Sequence, residues 1–352
     1  MDRALSLAAR GWGRVAPNPL VGAVVVRAGE AVGEGFHPEY GQPHAEPIAL
    51  RAAGIHARGA TLYVTLEPCS HHGKTPPCTD AIVAAGIRRV VYAASDPNPR
   101  AAGGAEVLRR VGVEVVGGVE AKRAHELNAA FFFSFTPAGA QRPWIALKLA
   151  LSLDARVADA AGRSAWITSD AARAEVHRLR AGFDAVAVGI GTALADDPRL
   201  TVRGPTLPRR PPVRLVFDRL LRLPETSYLA RTTTESPVWI LCDPQAPPDA
   251  RKRLERHGVR VVTAPDLSAG LRTLRQEGIT SIFCEGGSLF AGALLRAELV
   301  DRLYLFYAPI LLGPNGRGGF AEILDVTIGD VARWRHVASS AFGPDTLITL
   351  GR

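Results

Sequence analysis

Four residues in the first quarter of the chain have the types and spacing of a catalytic metal site. His44 and Glu46 lie two residues apart in PHAEPIAL, and Cys69 and Cys78 each follow a proline in EPCSHHGKTPPC. A catalytic zinc takes three protein ligands and keeps a fourth position for water. One imidazole and two thiolates would supply those ligands, and Glu46 would take a proton from the water and pass it to a leaving amine. The pattern predicts metal-assisted hydrolysis.

A structural zinc site is the alternative interpretation of the same stretch. It would need a fourth ligand, and His71 or His72 could provide one. Structural zinc sites commonly contain closely spaced cysteines. Here eight residues separate Cys69 from Cys78, so the spacing favours an open site over a closed one.

Strands and helices that alternate along the chain would position these residues. Apolar runs predict strands at 21–26, 60–67, 88–94 and 112–118, and the intervening patterns predict helices at 46–54 and 78–86. Pro47 suits the first turn of a helix, and Cys78 would lie where a helix N-terminus favours a thiolate. The alternation predicts a mixed sheet with covering helices.

A second alternation begins after the stretch FTPAGAQRP, residues 135–143, so we expect one domain at 1–140 and another at 143–352. Further strands are predicted within 143–152, 183–191, 212–218, 236–242, 259–264 and 281–287, and helices within 169–182 and 287–298. The motif CEGGSLFAGALL runs from a strand through two glycines into a helix, an arrangement that suits a pyrophosphate. Glu285, at the end of the strand, would point into the crevice where this pyrophosphate would bind.

The composition excludes several classes of protein. No apolar run approaches the roughly 20 residues that cross a bilayer, and four cysteines in 352 residues do not make a disulfide scaffold. The net charge of +8 is spread without a basic tail or block, which favours small phosphorylated ligands over nucleic acid. We expect a cytoplasmic homo-oligomer with no nucleic-acid or membrane partner.

Several motifs together resemble one known family. PNPLVGAVVV, GEGFH, PHAE, TLEPCSHHGKTPPC and SDPNP resemble the deaminase half of the bifunctional riboflavin-biosynthesis deaminase/reductase family. ALKLALSLDARVA, GRSAWITS, GIGTALADDPRLTVR, VFDRLLRLP and CEGGSLFAGALL resemble its reductase half. The resemblance implies an α/β fold, with an N-terminal cytidine-deaminase-like three-layer α/β/α domain and a C-terminal dihydrofolate-reductase-like α/β domain. It also implies zinc-dependent deamination of 2,5-diamino-6-ribosylamino-4(3H)-pyrimidinone 5′-phosphate, followed by NADPH-dependent reduction of the ribosyl group to a ribityl chain.

The resemblance also assigns roles to single residues. Its zinc ligands correspond to His44, Cys69 and Cys78, its proton carrier to Glu46, and a pyrimidine contact to Asn18. The cofactor contacts would be Ala150, Trp166, Thr192, Asp196, Arg219, Gly287, Ser288, Leu289, Phe290, Ala291, Gly292 and Ala293. The substrate contacts of the reductase would be Ser164, Arg180, Leu200, Arg203 and Glu285.

Three of these residues also have a chemical rationale. Arg180 and Arg203 suit a phosphate clamp, and Arg219 suits the 2′-phosphate that distinguishes NADPH from NADH. Lys148, one of four lysines in the chain, is a further candidate as a substrate-orienting cation.

Two positions depart from the family pattern. Pro47 replaces an aliphatic residue such as valine, and Ala155 in SLDA replaces a glycine. If a positive φ angle is needed there, Ala155 would weaken the reductase and leave only the deaminase fully active.

Two other functions are alternatives. A zinc nucleobase deaminase acting on nucleic acid, with an accessory C-terminal domain, predicts a C-x-x-C motif and basic stripes with interleaved aromatic residues. A non-catalytic metabolite sensor predicts loss of Glu46 or of a metal ligand. The sequence shows neither pattern.

Overall fold

The N-terminal unit comprises Met1–Thr136 in the computed structural model of the chain. The structure describes residues 1–73, 75–321 and 333–352. The helices of this unit are α1 (Asp2–Ala8), α2 (Ala45–Ala53), α3 (Cys78–Ala84), α4 (Gly104–Arg110), α5 (Ala121–Leu127) and α6 (Ala129–Ser134), with 3-10 turns at Ala9–Gly11 and Gly54–Ala57. Its strands are β1 (Gly22–Arg27), β2 (Glu30–Phe36), β3 (Thr61–Leu66), β4 (Arg89–Ala94) and β5 (Glu114–Val116).

The strands described up to residue 136 form one mixed sheet in the order β2-β1-β3-β4-β5. Strand β1 runs antiparallel to β2 and β3, whereas β3, β4 and β5 are parallel. Alternate residues of β1 pack in opposite directions, because Val24 contacts the buried residues of α1 and Val25 belongs to the core that includes α2. Helices therefore cover both faces, and the predicted mixed sheet is confirmed.

Helix α2 lies against the backbone of β2 because that strand has glycine at two positions. A Cβ atom at Gly33 would lie 2.3 Å from the carbonyl oxygen of Ala49, and one at Gly35 would lie 2.5 Å from that of Ala45. Close-packed interiors cannot absorb such overlaps without moving the helix. Since His44 is the N-cap of α2, the two glycines set the position of the first predicted metal ligand.

The C-terminal unit comprises Pro137–Arg352. Its helices are α7 (Pro137–Gln141), α8 (Asp170–Arg180), α9 (Ile190–Asp196), α10 (Tyr228–Arg231), α11 (Pro248–Arg256), α12 (Leu267–Gln276) and α13 (Ser288–Arg296). Its strands are β6 (Trp144–Ser152), β7 (Arg156–Ala158), β8 (Ala185–Gly189), β9 (Val213–Phe217), β10 (Val238–Cys242), β11 (Arg260–Thr263), β12 (Ser281–Cys284), β13 (Arg302–Ala308), β14 (Arg317–Gly318), β15 (Arg335–Phe342) and β16 (Asp345–Gly351).

Nine of these strands, counted over the described residues, form one sheet in the order β11-β10-β9-β8-β12-β6-β13-β16-β15. The strands from β11 to β13 run parallel to one another, and β16 and β15 are antiparallel to their neighbours. The carboxyl ends of β6, β8, β9 and β12 therefore lie at the same edge. Ligands of open parallel sheets bind at that edge.

The structure confirms the predicted strands and helices and adds elements that the sequence analysis missed, including β2, β13, β15 and β16. The chain divides between Thr136 and Pro137, and residues Pro137–Gln141 of the expected linker form α7. Across the described residues, no helix combines the length and the apolar character needed to cross a membrane.

Candidate functional sites

Three side chains of the N-terminal unit bring their ligand atoms together. The Nδ1 atom of His44 lies 3.3 Å from the Sγ atom of Cys78 and 3.6 Å from that of Cys69. A tetrahedral zinc, about 2.1 Å from nitrogen and 2.3 Å from sulfur, would separate such atoms by roughly 3.6 Å. The geometry and the nitrogen and sulfur donors therefore fit a zinc ion.

The ends of three elements place these ligands. His44 precedes α2, Cys69 follows β3, and Cys78 is the first residue of α3. The backbone N–H of Cys78 donates to the Sγ atom of Cys69 at 3.4 Å. Hydrogen bonds from Cys78 and His44 lower the pKa of Cys69 to about 4. The pKa of Cys78 is raised, because Cys78 contacts Cys69 and is buried. A cation bound between the sulfurs would displace the remaining thiol proton.

Glu67 anchors the segment that carries Cys69. Its Oε1 atom accepts hydrogen bonds from the backbone N–H groups of Gly103 and Ala105, at 3.2 and 3.0 Å. Between these two donors, Gly104 lies so close to the chain before Cys69 that an added Cβ atom would be 1.8 Å from a carbonyl oxygen. The N-terminus of α4 thus fixes the second metal ligand.

Glu46 supplies a buried carboxyl group beside the ligands. Glu46 is 3 % exposed, and its Oε2 atom has no hydrogen-bond partner among the residues that the structure describes. Burial raises the pKa of Glu46 to about 7. A carboxyl group with this pKa both accepts and releases a proton near neutral pH, as a general acid and base must.

The arrangement favours the open metal site over the structural one. Among the described residues, the group of side chains that could hold a metal consists of His44, Cys69 and Cys78. Neither His71 nor His72 belongs to that group, and His72 is exposed to solvent. A zinc ion held by these three side chains would keep its fourth position for water or substrate.

His37 is a residue of this site that the sequence analysis missed. It is 2 % exposed, and its ring meets that of His44 edge-on, with 5.4 Å between centroids. Its Nδ1 atom lies 3.1 Å from the carbonyl oxygen of Pro43, and its Nε2 atom lies 3.1 Å from Nδ2 of Asn18. Because a carbonyl only accepts, Nδ1 carries the proton and Nε2 accepts from Asn18. His37 therefore orients Asn18. The sequence signal that could have identified His37 is its position in the motif GEGFH.

In the C-terminal unit, two candidate cofactor residues meet at the carboxyl edge of the sheet. Gly287 is the N-cap of α13, and its N–H donates to the Oγ1 atom of Thr192 in α9 at 2.9 Å. No side chain of the described residues caps α13. Its first-turn N–H groups suit a pyrophosphate, so this edge fits a dinucleotide cofactor.

The other candidate cofactor residues occupy several elements. Ala150 lies in β6 and Asp196 ends α9, where burial raises the pKa of its carboxyl group. Trp166 is 76 % exposed and stacks against the guanidinium group of Arg173 at 4.5 Å, so it is no core aromatic. The segment from Ser288 to Ala293 is part of α13; Ser288, Ala291 and Gly292 are buried, Phe290 and Ala293 are half-buried, and Leu289 is exposed.

Arg219 follows β9 at the same edge. Its side chain is 84 % exposed, and its Nη2 atom lies 3.0 Å from the Oδ2 atom of Asp243, which follows β10. The carboxylate holds one side of the guanidinium group, and the remaining donors face solvent.

The candidate substrate residues include a cluster of charges that is largely, but not fully, buried. Arg180 donates to both carboxylate oxygens of Glu285, at 2.5 and 3.0 Å. Burial alone would raise the pKa of Glu285, but the positive charges of Arg180 and Lys148 lower it. Burial lowers the pKa of Lys148, and the charge of Glu285 opposes this effect. The sequence analysis named both Arg180 and Glu285 as substrate contacts but did not predict that they pair with each other.

Three further substrate candidates lie outside helices and strands. Ser164 is exposed. Leu200 is 3 % exposed and has a φ angle of 53°. Arg203 is exposed, and its backbone N–H donates to the Nδ1 atom of His177 at 3.3 Å.

Two family models match the chain. Residues 1–94 match the cytidine and deoxycytidylate deaminase zinc-binding region. Residues 143–348 match the RibD C-terminal domain, which is more than half of the chain.

Relatives match over nearly the full length. The riboflavin biosynthesis protein RibD of Escherichia coli is 42 % identical over 382 residues, covering 99 % of this chain and 98 % of its own. That of Bacillus amyloliquefaciens is 42 % identical over 361 residues, covering 99 % and 94 %.

Solved structures of similar proteins also match the chain over nearly its full length. Acinetobacter baumannii RibD has a TM-score of 0.83 at 38 % identity, covering 99 % of this chain and 97 % of its own. The Thermotoga maritima diaminohydroxyphosphoribosylaminopyrimidine deaminase/5-amino-6-(5-phosphoribosylamino)uracil reductase has a TM-score of 0.84 at 38 % identity, covering 100 % and 97 %. These matches confirm the expected α/β fold class, with a cytidine-deaminase-like domain followed by a reductase domain. The chain belongs to the RibD family of riboflavin-biosynthesis deaminase/reductases.

Proposed function

We propose that the chain deaminates 2,5-diamino-6-ribosylamino-4(3H)-pyrimidinone 5′-phosphate and then reduces the ribosyl group of the product to a ribityl chain. Family membership makes it a bifunctional enzyme of riboflavin biosynthesis that uses zinc and NADPH. The Thermotoga maritima relative bears both activities in its name. The observation that carries the proposal is the trio of metal-ligand atoms together with the buried Glu46, which interacts with His44 and Cys69 and whose Oε2 atom has no hydrogen-bond partner among the described residues.

We assign the deaminase to a domain at 1–140 and the reductase to a domain at 143–352. Two observations support the assignment. The compact units are Met1–Thr136 and Pro137–Arg352, and the family models match 1–94 and 143–348.

In the deaminase, we assign the zinc ligands to His44, Cys69 and Cys78. Bound zinc supplies a water molecule that is acidic enough to ionise near neutral pH. Glu46 accepts a proton from the attacking water and delivers it to the leaving amino group, which departs as ammonia. Asn18, whose amide His37 orients, contacts the pyrimidine ring.

In the reductase, NADPH supplies the hydride, and the protein positions its nicotinamide against the opened sugar. We assign the cofactor to Ala150, Trp166, Thr192, Asp196, Arg219 and the segment from Gly287 to Ala293. The contact between Gly287 and Thr192 and the uncapped start of α13 support this assignment.

We assign the substrate of the reductase to Lys148, Ser164, Arg180, Leu200, Arg203 and Glu285. The exposed Arg203 provides a cation for the 5′-phosphate. Partial burial lowers the pKa of Arg203, and the positive charge of the nearby Arg180 lowers it further. The Glu285 carboxylate, held by two hydrogen bonds from Arg180, provides a fixed acceptor for polar groups of the substrate.

We further propose a cytoplasmic homo-oligomer whose partner is a small phosphorylated pyrimidine and not a nucleic acid. The cysteines described are all free and buried, as is common in reducing compartments. Exposed apolar side chains such as Leu153 and Leu311 offer surface for contacts between copies. Sedimentation of the purified chain tests the oligomeric state.

A coupled assay with the variant Glu46→Gln tests the two activities. The wild type should release ammonia from the diaminopyrimidinone phosphate and then oxidise NADPH. The amide keeps the shape of Glu46 but cannot carry the proton, so ammonia release should fall about 10²- to 10⁴-fold while zinc content is unchanged. NADPH oxidation with the deaminated substrate should persist. If the zinc-loaded wild type released no ammonia, the deaminase assignment would be wrong.

A further inference from the structure

His177, in the last turn of α8, links two arginines of the candidate substrate site. Its Nδ1 atom accepts the backbone N–H of Arg203 at 3.3 Å and lies 3.5 Å from the Nη1 atom of Arg180. The same Nη1 atom donates to the carbonyl oxygen of Thr201 at 2.7 Å. The imidazole therefore lies where α8 meets the segment that carries Arg203.

The hydrogen bond to Arg203 fixes the tautomer of the ring. A backbone N–H only donates, so Nδ1 must offer its lone pair and the single proton of the neutral ring lies on Nε2. Protonation would place an N–H at Nδ1, facing the N–H of Arg203 and the guanidinium group of Arg180. Burial and the charges of Arg180 and Arg203 lower the pKa of His177 to about 4, which keeps the ring neutral at pH 7.

The segment from 197 to 212 has no helix or strand that would hold Arg203 in place. Leu200, three residues earlier, has a φ angle of 53° and a buried side chain. One anchor of this segment is therefore apolar, and the bond to His177 is a polar anchor at Arg203 itself. The Nδ1 atom of His177 therefore fixes the backbone position from which the Arg203 side chain extends. A small displacement of a group that binds substrate can weaken binding or slow the reaction.

We propose that His177 is a positioning residue of the reductase: through Nδ1 it holds the backbone of Arg203 against α8 and so places the Arg203 side chain for the phosphate of the substrate. The inference rests on the assignment of Arg203 to the phosphate in the proposed function. His177 acts through Arg203 and makes no contact with the reacting atoms.

Two substitutions at this position separate a positioning role from simple packing. In His177→Asn, the side-chain oxygen can take the place of Nδ1 and accept the N–H of Arg203. In His177→Gln, the amide reaches the place of Nε2, and the acceptor near Arg203 is lost. Both variants are polar and uncharged, so they differ mainly in the position of the acceptor.

The kinetic experiment varies the concentration of 5-amino-6-(5-phosphoribosylamino)uracil at saturating NADPH. We expect His177→Gln to raise the KM for this substrate about tenfold, the effect of about one hydrogen bond. His177→Asn should stay within about threefold of wild type, and kcat and the KM for NADPH should not change. With the substrate that lacks its 5′-phosphate, the two variants should match wild type. An unchanged kcat and an unchanged KM for NADPH report that the C-terminal unit, which carries His177, is folded.

Four outcomes would contradict the proposal. Equal KM values for His177→Gln and wild type would overturn it, as would equal losses of kcat in both variants, which indicate packing alone. A normal KM in Arg203→Ala would overturn the phosphate assignment of the proposed function and this inference with it. A raised KM in Arg203→Ala together with a normal KM in His177→Gln would overturn only the role of His177.

Discussion

The candidate metal centre and the candidate reductase site differ in how many segments of the chain contribute residues to them. We call the reductase site, at the carboxyl edge of the nine-stranded sheet, the cleft. The candidate metal centre takes its three proposed ligands and its carboxyl group from residues 44–78, at the ends of β3, α2 and α3. The cleft draws on residues from 148 to 293, in β6, α8, α9, α13 and the segments between them. A zinc ion accepts few residue types at fixed distances, whereas the pyrophosphate of a dinucleotide can bind backbone N–H groups, which nearly every residue type supplies. Sequence motifs therefore identify a metal centre far more sharply than a cofactor cleft.

The same difference affects how each site tolerates change. The three metal ligands act together, because zinc needs all of them. In the cleft, charged groups already pair within the protein, as Arg180 does with Glu285 and Arg219 with Asp243. Loss of one metal ligand should abolish a function, while loss of one cleft residue should change an affinity by a limited factor.

The largest expected effect is that of Cys78→Ala, which removes one metal ligand. Zinc content should fall from about one ion per chain to a small fraction, since a catalytic site has only three protein ligands. Ammonia release should fall to the background rate, and NADPH oxidation with deaminated substrate should continue. Metal analysis and the two assays on one preparation measure this.

Cys242→Ala is the matched control, because Cys242 is also buried but lies at the end of β10. This variant should keep its zinc and its ammonia release. Full deaminase activity of zinc-free Cys78→Ala would show that the three residues do not form the metal centre.

A smaller effect is expected from Arg219→Ala. If the guanidinium group meets the 2′-phosphate of NADPH, removing a charged hydrogen bond worth roughly 1.5–3 kcal/mol should raise the KM for NADPH about 10- to 100-fold. The KM for NADH, which lacks that phosphate, and kcat should not change. Steady-state kinetics with both cofactors measure the two values.

Arg222→Ala is the control here, because Arg222 is also exposed and lies three residues further along the same loop. It should leave both KM values unchanged. Equal effects of Arg219→Ala on NADPH and NADH would remove Arg219 from the recognition of the 2′-phosphate.

The sequence predicted the group of His44, Cys69 and Cys78 that the fold brings together, because these residue types are rare and their neighbours form regular elements. It did not reveal β2, since Gly33 and Gly35 weaken the strand pattern while they allow α2 to approach. It did not identify His37, whose role depends on contacts with Asn18 and His44 that only the fold creates.

In the cleft, the limits of sequence reasoning are wider. The pair of Arg180 and Glu285 joins residues 105 positions apart, and no local pattern encodes such a contact. The motif CEGGSLFAGALL did predict a strand that passes through glycines into a helix, and β12 and α13 confirm it. Its signal is local, because the turn and the helix start are made by neighbouring residues.

The smallest expected effect concerns the departure at Ala155. Its φ angle is 58°, so the backbone does have the left-handed conformation for which glycine is suited. Asp154 accepts hydrogen bonds from the backbone N–H groups of Leu312 and Gly313, and the carbonyl oxygen of Ala155 accepts one from Gly319. The turn is held on both sides, so an alanine there cannot relax into another conformation.

Ala155→Gly should therefore stabilise the C-terminal unit. The left-handed conformation costs an alanine about 1–2 kcal/mol, and the greater freedom of glycine in the unfolded chain offsets part of this gain. A net gain of about 1 kcal/mol would raise the Tm of this unit by about 2–4 °C, as calorimetry would show. Because alanine already adopts the required backbone, NADPH oxidation should change less than about twofold. A large rise in kcat without a rise in Tm would instead mean that the methyl group of Ala155 obstructs the cleft, and the reductase would then depend on a single side chain as strictly as the metal centre does.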